Sequence, residues 1–224
     1  MRVTLHEVAK GHAGQALPPI TLAYDTGTPV LALAETEQRP AVLGLIASGR
    51  MTPDAGAVTI GGRSDAATLR RRVALVDAPD VCDPAPNVTV AGMVAEELMF
   101  AGLASTPRAV REWLDAHDSA DLARTPIADV QPSRRIRLLL ELASLRVGVE
   151  SMVLVSPDRH GGDPHHWWDV VEEFGARGFG VLAIAGAASA SVLADRAPRA
   201  EAVAEDDPED TTEPETEDDA EDER

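Results

Sequence analysis

The sequence predicts an α/β domain built on a mainly parallel sheet, and three observations predict it. Short, nearly continuous apolar runs at residues 30–34, 73–76, 152–155 and 181–184 read as strands buried on both faces. Segments with helical periodicity alternate with those runs, as in a chain that crosses repeatedly over one sheet. The chain has 224 residues, 44% of them hydrophobic, which is enough to bury one sizeable core. Aromatic residues make up only 3%, so that core must be filled mostly by Val, Leu, Ala and Ile.

The elements follow in order. Residues 3–8 and 20–24 alternate apolar and polar like strands with one wet face, and Pro18-Pro19 reads as a breaker before the second. They predict an N-terminal antiparallel part. Residues 30–34 form the first buried strand, and residues 41–48 are apolar and long enough for a helix. Residues 57–60 followed by Gly61-Gly62 read as strand and turn, and residues 73–76 as a second buried strand. Residues 90–103 and 107–117 read as helices, with Pro107 at a first helical position. Residues 133–145 form a strong amphipathic helix, with Ile136, Leu139, Leu140 and Ala143 on one face and Arg134, Arg137 and Glu141 flanking it. Residues 152–155 are a third buried strand, 164–177 a helix ended by Gly178, 181–184 a fourth buried strand, and 189–195 a last short helix.

Charge divides the chain further. Residues 201–224 carry 14 acidic residues against one Arg, whereas residues 1–200 carry 24 against 19 basic ones. Such dense like charge with almost no apolar residue predicts a disordered acidic tail over residues 200–224, whose simplest role is solubility. The predicted domain is therefore residues 1–199, with a short helical insert at about 87–145. No apolar run approaches the ~18–20 residues of a membrane span, and the first residues lack the apolar core of a signal peptide. A single cysteine, Cys82, excludes an internal disulfide framework and nothing near it points to an activated thiol. These features predict a cytoplasmic protein without direct membrane insertion, and the overall acidity opposes nucleic-acid binding. Of the 20 Lys and Arg residues only Lys10 is a lysine, so any chemistry that needs a lysine has that one alone.

The order of these segments resembles the ATP-binding subunit of ABC transporters, a P-loop NTPase-like fold, over roughly residues 1–197. The strongest stretch starts at Gly27-Thr28-Pro29-Val30-Leu31-Ala32-Leu33. It continues through the helix around Leu43-Gly44-Leu45-Ile46, the turn Pro53-Asp54-Ala55-Gly56, and the strand Val58-Thr59-Ile60-Gly61-Gly62. Leu69-Arg70-Arg71-Arg72-Val73-Ala74-Leu75-Val76 resembles the strand before that family's glutamine loop. Val88-Thr89-Val90 with Glu96-Glu97-Leu98 resembles the approach to the helical subdomain, Gly161-Gly162-Asp163-Pro164 the D-loop, and Ala194-Asp195-Arg196 the stretch after the switch histidine.

The resemblance departs from the family where nucleotide would be held. A working phosphate loop reads G-x-x-x-x-G-K-[ST], because glycines bring backbone N–H groups to the phosphates, lysine neutralises charge and the hydroxyl holds Mg²⁺. A gapless alignment puts Ala34 and Arg39 at the two glycines, Pro40 at the lysine and Ala41 at the hydroxyl. Glu35 and Glu37 add negative charge, and at an effective dielectric near 20 each would cost about 3 kcal/mol per unit charge ~5 Å from a phosphate. The strand that should end in Asp-Glu-Pro ends in Val155-Ser156-Pro157, with Asp158 and Asp163 displaced along the chain. Asp77-Ala78 stands at the glutamine loop, Val130-Gln131-Pro132-Ser133-Arg134 at the signature, and Ala185-Gly186-Ala187 at the switch histidine.

The resemblance with these departures implies a non-hydrolysing cassette subunit acting through contacts with an ABC-type membrane subunit, a second cassette subunit, or both. It would sit in the cytoplasm and reach the membrane through that partner. No catalytic residue, metal or cofactor is expected, and any ATP binding should be millimolar or weaker. Two other readings stand beside it: an active ABC-type ATPase in which Arg39 replaces the lysine charge, and a stand-alone protein-interaction module. His12 falls where the family often has an aromatic that stacks on adenine, although a histidine on a surface loop is the simpler reading. His160, His165 and His166 cluster in sequence with Asp158, Asp163 and Asp169, but their spacing fits no zinc motif, and Asp163 reads as a helix cap before Pro164. Of Trp167 and Trp168, one should pack on the sheet and the other should be half-exposed or at an interface. Arg70-Arg71-Arg72 and Arg134, Arg135 and Arg137 read as solvated faces or docking sites for the tail.

Overall fold

The computed structural model describes residues 1–35 and 39–198. Glu37 and the acidic tail therefore lie outside the described residues. Two sheets form. The antiparallel one has the order β2-β1-β4, from β1 (Arg2–Lys10), β2 (Leu17–Asp25) and β4 (Ala55–Ile60). The parallel one has the order β3-β7-β6-β5, from β3 (Pro29–Leu33), β5 (Val73–Val76), β6 (Ser151–Val155) and β7 (Gly180–Ala185). The α/β class with an N-terminal antiparallel part is thus the one the sequence predicts.

Period-two burial explains why the four apolar runs sit in the parallel sheet. Val153 and Val155 of β6, Leu182 and Ile184 of β7, and Leu75 of β5 face a core shared with the antiparallel sheet and with α1 (Pro40–Ala47). Their neighbours Met152, Leu154, Val181, Ala183 and Ala74 face the opposite core, closed by α5 (Pro132–Ser144), α6 (Pro164–Ala176) and α7 (Ala187–Val192). Both faces are covered, so alternation of polarity is absent from the sequence. Gly44 lets α1 lie directly on the sheet, since a Cβ there would stand 2.7 Å from Val155 Cγ2. The buried Tyr24 hydroxyl donates to Ala47 O at 2.9 Å, tying β2 to the end of α1.

Between β5 and β6 lie α3 (Val90–Phe100), α4 (Pro107–Ala116), two 3-10 turns and α5. Thr89 and Thr106 cap α3 and α4 by accepting from Gly92 N and Ala109 N. These helices share a core of their own that includes Val90, Val94, Leu98, Val110, Leu114 and Ile127. The sequence suggests one apolar face for α5, but the helix has two. Ile136, Leu140 and Ala143 meet the sheet, while Leu138 and Leu142 meet α3 and α4. Among the described residues no helix is long and apolar enough to cross a membrane.

Several expectations are corrected. Pro18-Pro19 does not precede β2 but lies inside it, between the pairs Lys10↔Leu17 and Val8↔Ile20 where the register shifts. β2 is an edge strand, and an edge tolerates missing N–H donors. Residues 69–72, which lead into β5, belong to α2 (Ala66–Arg72), a helix the sequence reading did not place, whose cap Asp65 accepts from Thr68 N. Its three arginines occupy the last turn, where the helix dipole favours positive charge. Leu33, expected in the buried sheet, is 49% exposed. It ends β3, the edge strand of the parallel sheet, and lines a small open cleft with Ile20 and Ala190. Trp167 and Trp168 are both buried, at 1% and 0% exposure, so neither offers a surface contact. The Trp168 indole donates to Glu172 at 2.8 Å.

The contrast between Leu154 and Leu33 is measurable. Leu154→Ala should destabilise the fold by about 2–5 kcal/mol through the cavity it leaves. Leu33→Ala should cost about 1 kcal/mol or less. Urea unfolding midpoints of the two variants check this, and equal losses would contradict the burial pattern.

Candidate functional site

The carboxyl ends of parallel strands are where a doubly wound fold leaves a crevice. Here β3, β6 and β7 end at a cleft of about 550 Å³ against the start of α1. Ala34, Arg39, Pro40 and Ala41, the four residues the sequence places on the phosphate-loop pattern, all line it. Arg39 takes the left-handed conformation, φ 45°, at the helix cap and makes no side-chain capping bond. Pro40 follows at the first helical position, which removes one of the N–H groups that a helix start otherwise presents. Ala41 supplies no hydroxyl. Arg39 is exposed at this helix start, and Glu35, Asp80, Asp158 and Arg159 share the cleft with it.

Two of these carboxylates are directed at backbone amides. Glu35 accepts from Ala187 N at 2.6 Å. Asp158 accepts from Gly186 N at 2.9 Å and from the Ser189 hydroxyl at 3.2 Å. Both converge on the first residues of α7, where unpaired N–H groups carry partial positive charge. A side chain at Gly186 would crowd them, since a Cβ there would lie 3.2 Å from Glu35 Oε2 and 3.4 Å from Asp158 Oδ2. Ser156, after β6, also takes a left-handed conformation, φ 49°, which turns the chain into the 3-10 helix Pro157–His160.

That turn delivers two side chains to Asp77. Asp77 follows β5, has φ 56°, and is 1% exposed. Arg135 of α5 donates to its carboxylate at 2.7 Å through Nη2 and at 3.5 Å through Nε. Arg159 donates to the same carboxylate at 3.0 Å and to the Asp77 backbone carbonyl at 2.6 Å. His160 Nε2 lies 2.9 Å from Oδ2, and an ionised carboxylate only accepts, so Nε2 carries the proton. Arg135 also donates to Ile127 O at 3.3 Å, and Arg159 reaches Asp83 at 3.3 Å. Burial pushes the Asp77 carboxyl up, but the bonds from His160 and Arg135 and the charges of Arg135 and Arg159 outweigh it and hold it below the usual carboxylate range.

The structure separates the other residues the sequence singled out. His12 is exposed in a turn after β1 and is not among the residues that line the cleft. Asp163 caps α6 by accepting from His165 N at 2.9 Å and lies outside the cleft. The His and Asp residues clustered in sequence disperse: His160 to Asp77, Asp158 to α7, Asp163 to its cap, and Asp169 to Arg196 at 2.8 Å. No group of three metal-ligating side chains forms among the described residues. The arginine runs lie at the surface as expected, with Arg70, Arg71 and Arg72 exposed, except for Arg135. Arg135 is 3% exposed and belongs to the Asp77 cluster, Arg134 pairs with Asp121, and Arg137 with Glu173. Arg70 donates to Gly49 O, Arg71 to Thr68 and Arg72 pairs with Glu150. Arg159 and the role of Arg135 escaped the sequence reading. The one hint was an Asp directly after four apolar strand residues, a position that needs buried partners.

Solved structures share this fold at low sequence identity. An ATP binding subunit of an ABC transporter is 19% identical with a TM-score of 0.59, over 85% of this chain and 82% of that one. An ABC transporter ATP-binding protein from Pyrococcus furiosus is 14% identical with a TM-score of 0.57, over 83% of this chain and 92% of that one. A bacterial ABC transporter cassette with a dimeric structure is 15% identical with a TM-score of 0.60, over 85% and 90%. No protein-family model and no curated protein matches the sequence. The chain has the fold of an ABC-transporter ATP-binding cassette.

The Asp77 cluster makes a pH-dependent prediction. Asp77→Asn should destabilise the fold by about 3–5 kcal/mol near neutral pH, because it leaves the buried Arg135 without a counter-charge and removes one of the two that Arg159 has. Since the folded carboxyl titrates below the unfolded value of about 3.9, the unfolded chain takes up the proton first as pH falls. The contribution is therefore complete above that value and disappears as pH drops through the folded one. Denaturant titrations at several pH values should show the gap between wild type and Asp77→Asn constant at neutral pH and closing in acid. A gap that widens in acid would contradict the assignment.

Proposed function

We propose that this chain is a cassette-like subunit that does not hydrolyse ATP and acts through protein contacts, with an ABC-type membrane subunit, a second cassette subunit, or both. The observation that carries the reading is the pair of carboxylates, Glu35 and Asp158, on the amides of α7 beside a helix start made of Arg39, Pro40 and Ala41. A triphosphate with Mg²⁺ needs convergent N–H donors, a lysine-type charge and a hydroxyl. This cleft presents a proline, an alanine and acidic groups in those places, and the donor set does not fit the nucleotide. Val155 and Ser156 stand where the family's two acids end the strand, Asp77 is locked by Arg135 and Arg159, and Glu35 and Asp158 are bonded to the start of α7, which leaves Asp80 as the cleft carboxylate without a bond among the described residues. With hydrolysis absent, what remains useful of the fold is its surfaces. A dimeric cassette and transporter subunits among the similar structures support a role beside such partners.

Isothermal calorimetry with Mg²⁺ and ATP tests the nucleotide half. The expected result is a Kd of millimolar or weaker, a binding free energy no better than about −4 kcal/mol, and no Mg²⁺-dependent phosphate release. A micromolar Kd would instead favour an active ATPase with an unusual loop. Affinity purification of the full chain from solubilised membranes tests the partner half. Recovery of a stoichiometric polytopic membrane protein or a second cassette is expected, and recovery of neither supports a stand-alone interaction module.

A further inference from the structure

β3 borders the parallel sheet, and among the described residues no strand lies along its outer side. One hydrogen bond is nevertheless made there. Leu31 N donates to Pro198 O at 3.0 Å, so the last described residue of the chain already touches this edge. Outward and inward backbone groups alternate along a strand, and Ala34 N turns inward to Ala185 O at 3.0 Å. Leu33 therefore presents its N–H and C=O to the outer side, and Leu31 presents its C=O. A cleft of about 180 Å³ runs along this edge, walled by Ile20 and Leu22 of β2 and by Ala190 of α7. Apolar walls beside outward backbone groups form a template for a further strand.

We infer that residues 199–202 of this chain add to β3 as a further, parallel edge strand of the sheet. The starting point is fixed, because Pro198 O is already on Leu31 N, and proline is tolerated as the first residue of an edge strand. The direction follows from the donors. Toward Pro29 the edge offers no N–H, whereas toward Leu33 it does. A parallel register then carries Ala200 N to Leu31 O, Leu33 N to Ala200 O and Ala202 N to Leu33 O. The sequence Arg199-Ala200-Glu201-Ala202 alternates in step with that register. Ala200 lies beside Ala32 on the face turned to Leu22, where the narrow cleft suits a methyl side chain. Arg199 and Glu201 lie on the face of Leu33, which is 49% exposed and leaves them in water. Residues 199–202 run level with residues 31–34, so no part of the molecule has to be crossed. Ala202 ends beside Ala34, which lines the candidate cleft, and the acidic run from Glu205 starts about 10 Å further on. The added strand closes the sheet edge against other chains and delivers the negative charge of the tail to the rim of that cleft.

Amide hydrogen exchange followed by NMR in the full-length protein tests the inference. The Leu33 amide should be protected in the wild type. Ala200→Pro removes the N–H that bonds Leu31 O and should speed Leu33 exchange by about five- to tenfold, the worth of one backbone hydrogen bond. Glu201→Pro removes an N–H that faces solvent and should leave Leu33 protected. The Leu182 amide of the interior strand β7 should exchange equally in all three proteins, which separates loss of the edge strand from loss of the fold. An unprotected Leu33 in the wild type overturns the inference, and so does protection that Ala200→Pro leaves unchanged or that Glu201→Pro removes equally. Protection that rises with protein concentration assigns the edge to a second copy and overturns pairing within one chain.

Discussion

A buried carboxylate at the end of β5 decides how the top of this sheet is built. Asp77 has left water, and an isolated charge there would be prohibitively costly. Two arginines and a histidine from two separate stretches of chain remove that cost by hydrogen bonding and by charge. The partners are far apart in sequence. Arg135 comes from α5, which also carries the core of α3 and α4, and Arg159 and His160 come from the turn after β6. The cluster therefore fixes three things at once: the left-handed exit of β5, the position of α5 on the sheet, and the path of the chain leaving β6. Arg159 also donates to the Asp77 carbonyl, so the left-handed turn keeps a partner for that backbone acceptor.

The cleft beside the cluster follows the same logic. Two of its carboxylates, Asp158 and Glu35, are already engaged by the start of α7, and beside it Asp77 is engaged by its arginines. In a phosphate cradle the helix start and its donors wait for an anion. In this chain α7 is served by its own acids, and α1 begins with a proline. The fold and the chemistry of its cleft are separate properties of the chain.

Much of the fold was legible because burial on both faces leaves a plain signature. Four apolar runs became the four strands of the parallel sheet, and caps such as Asp163-Pro164 marked α6. The misreadings have physical causes. Pro18-Pro19 looks like a breaker until β2 is known to be an edge, which local sequence does not encode. Leu33 looks like its neighbour Leu31, and only its place at the end of an edge strand exposes it. The aspartate cap of α2 was overlooked because the three arginines that follow it look like surface. Arg135 could not be separated from Arg134 and Arg137 by spacing. They share one turn of helix, and which one turns inward depends on an acid 58 residues away. The residues of the cleft were found through the order of elements. The bonds that fill it were not, because Glu35 meets α7 across 152 residues of chain.

Asp77 and Arg135 form one coupled unit joining the parallel sheet to α5. A double-mutant cycle of Asp77→Asn and Arg135→Gln, read by equilibrium unfolding at neutral pH, measures that coupling directly. The account predicts that the double variant is more stable than the sum of the single losses implies, by about 1–3 kcal/mol, because each single change strands the other partner. Losses that add to within about 0.5 kcal/mol would show two independent residues and contradict it.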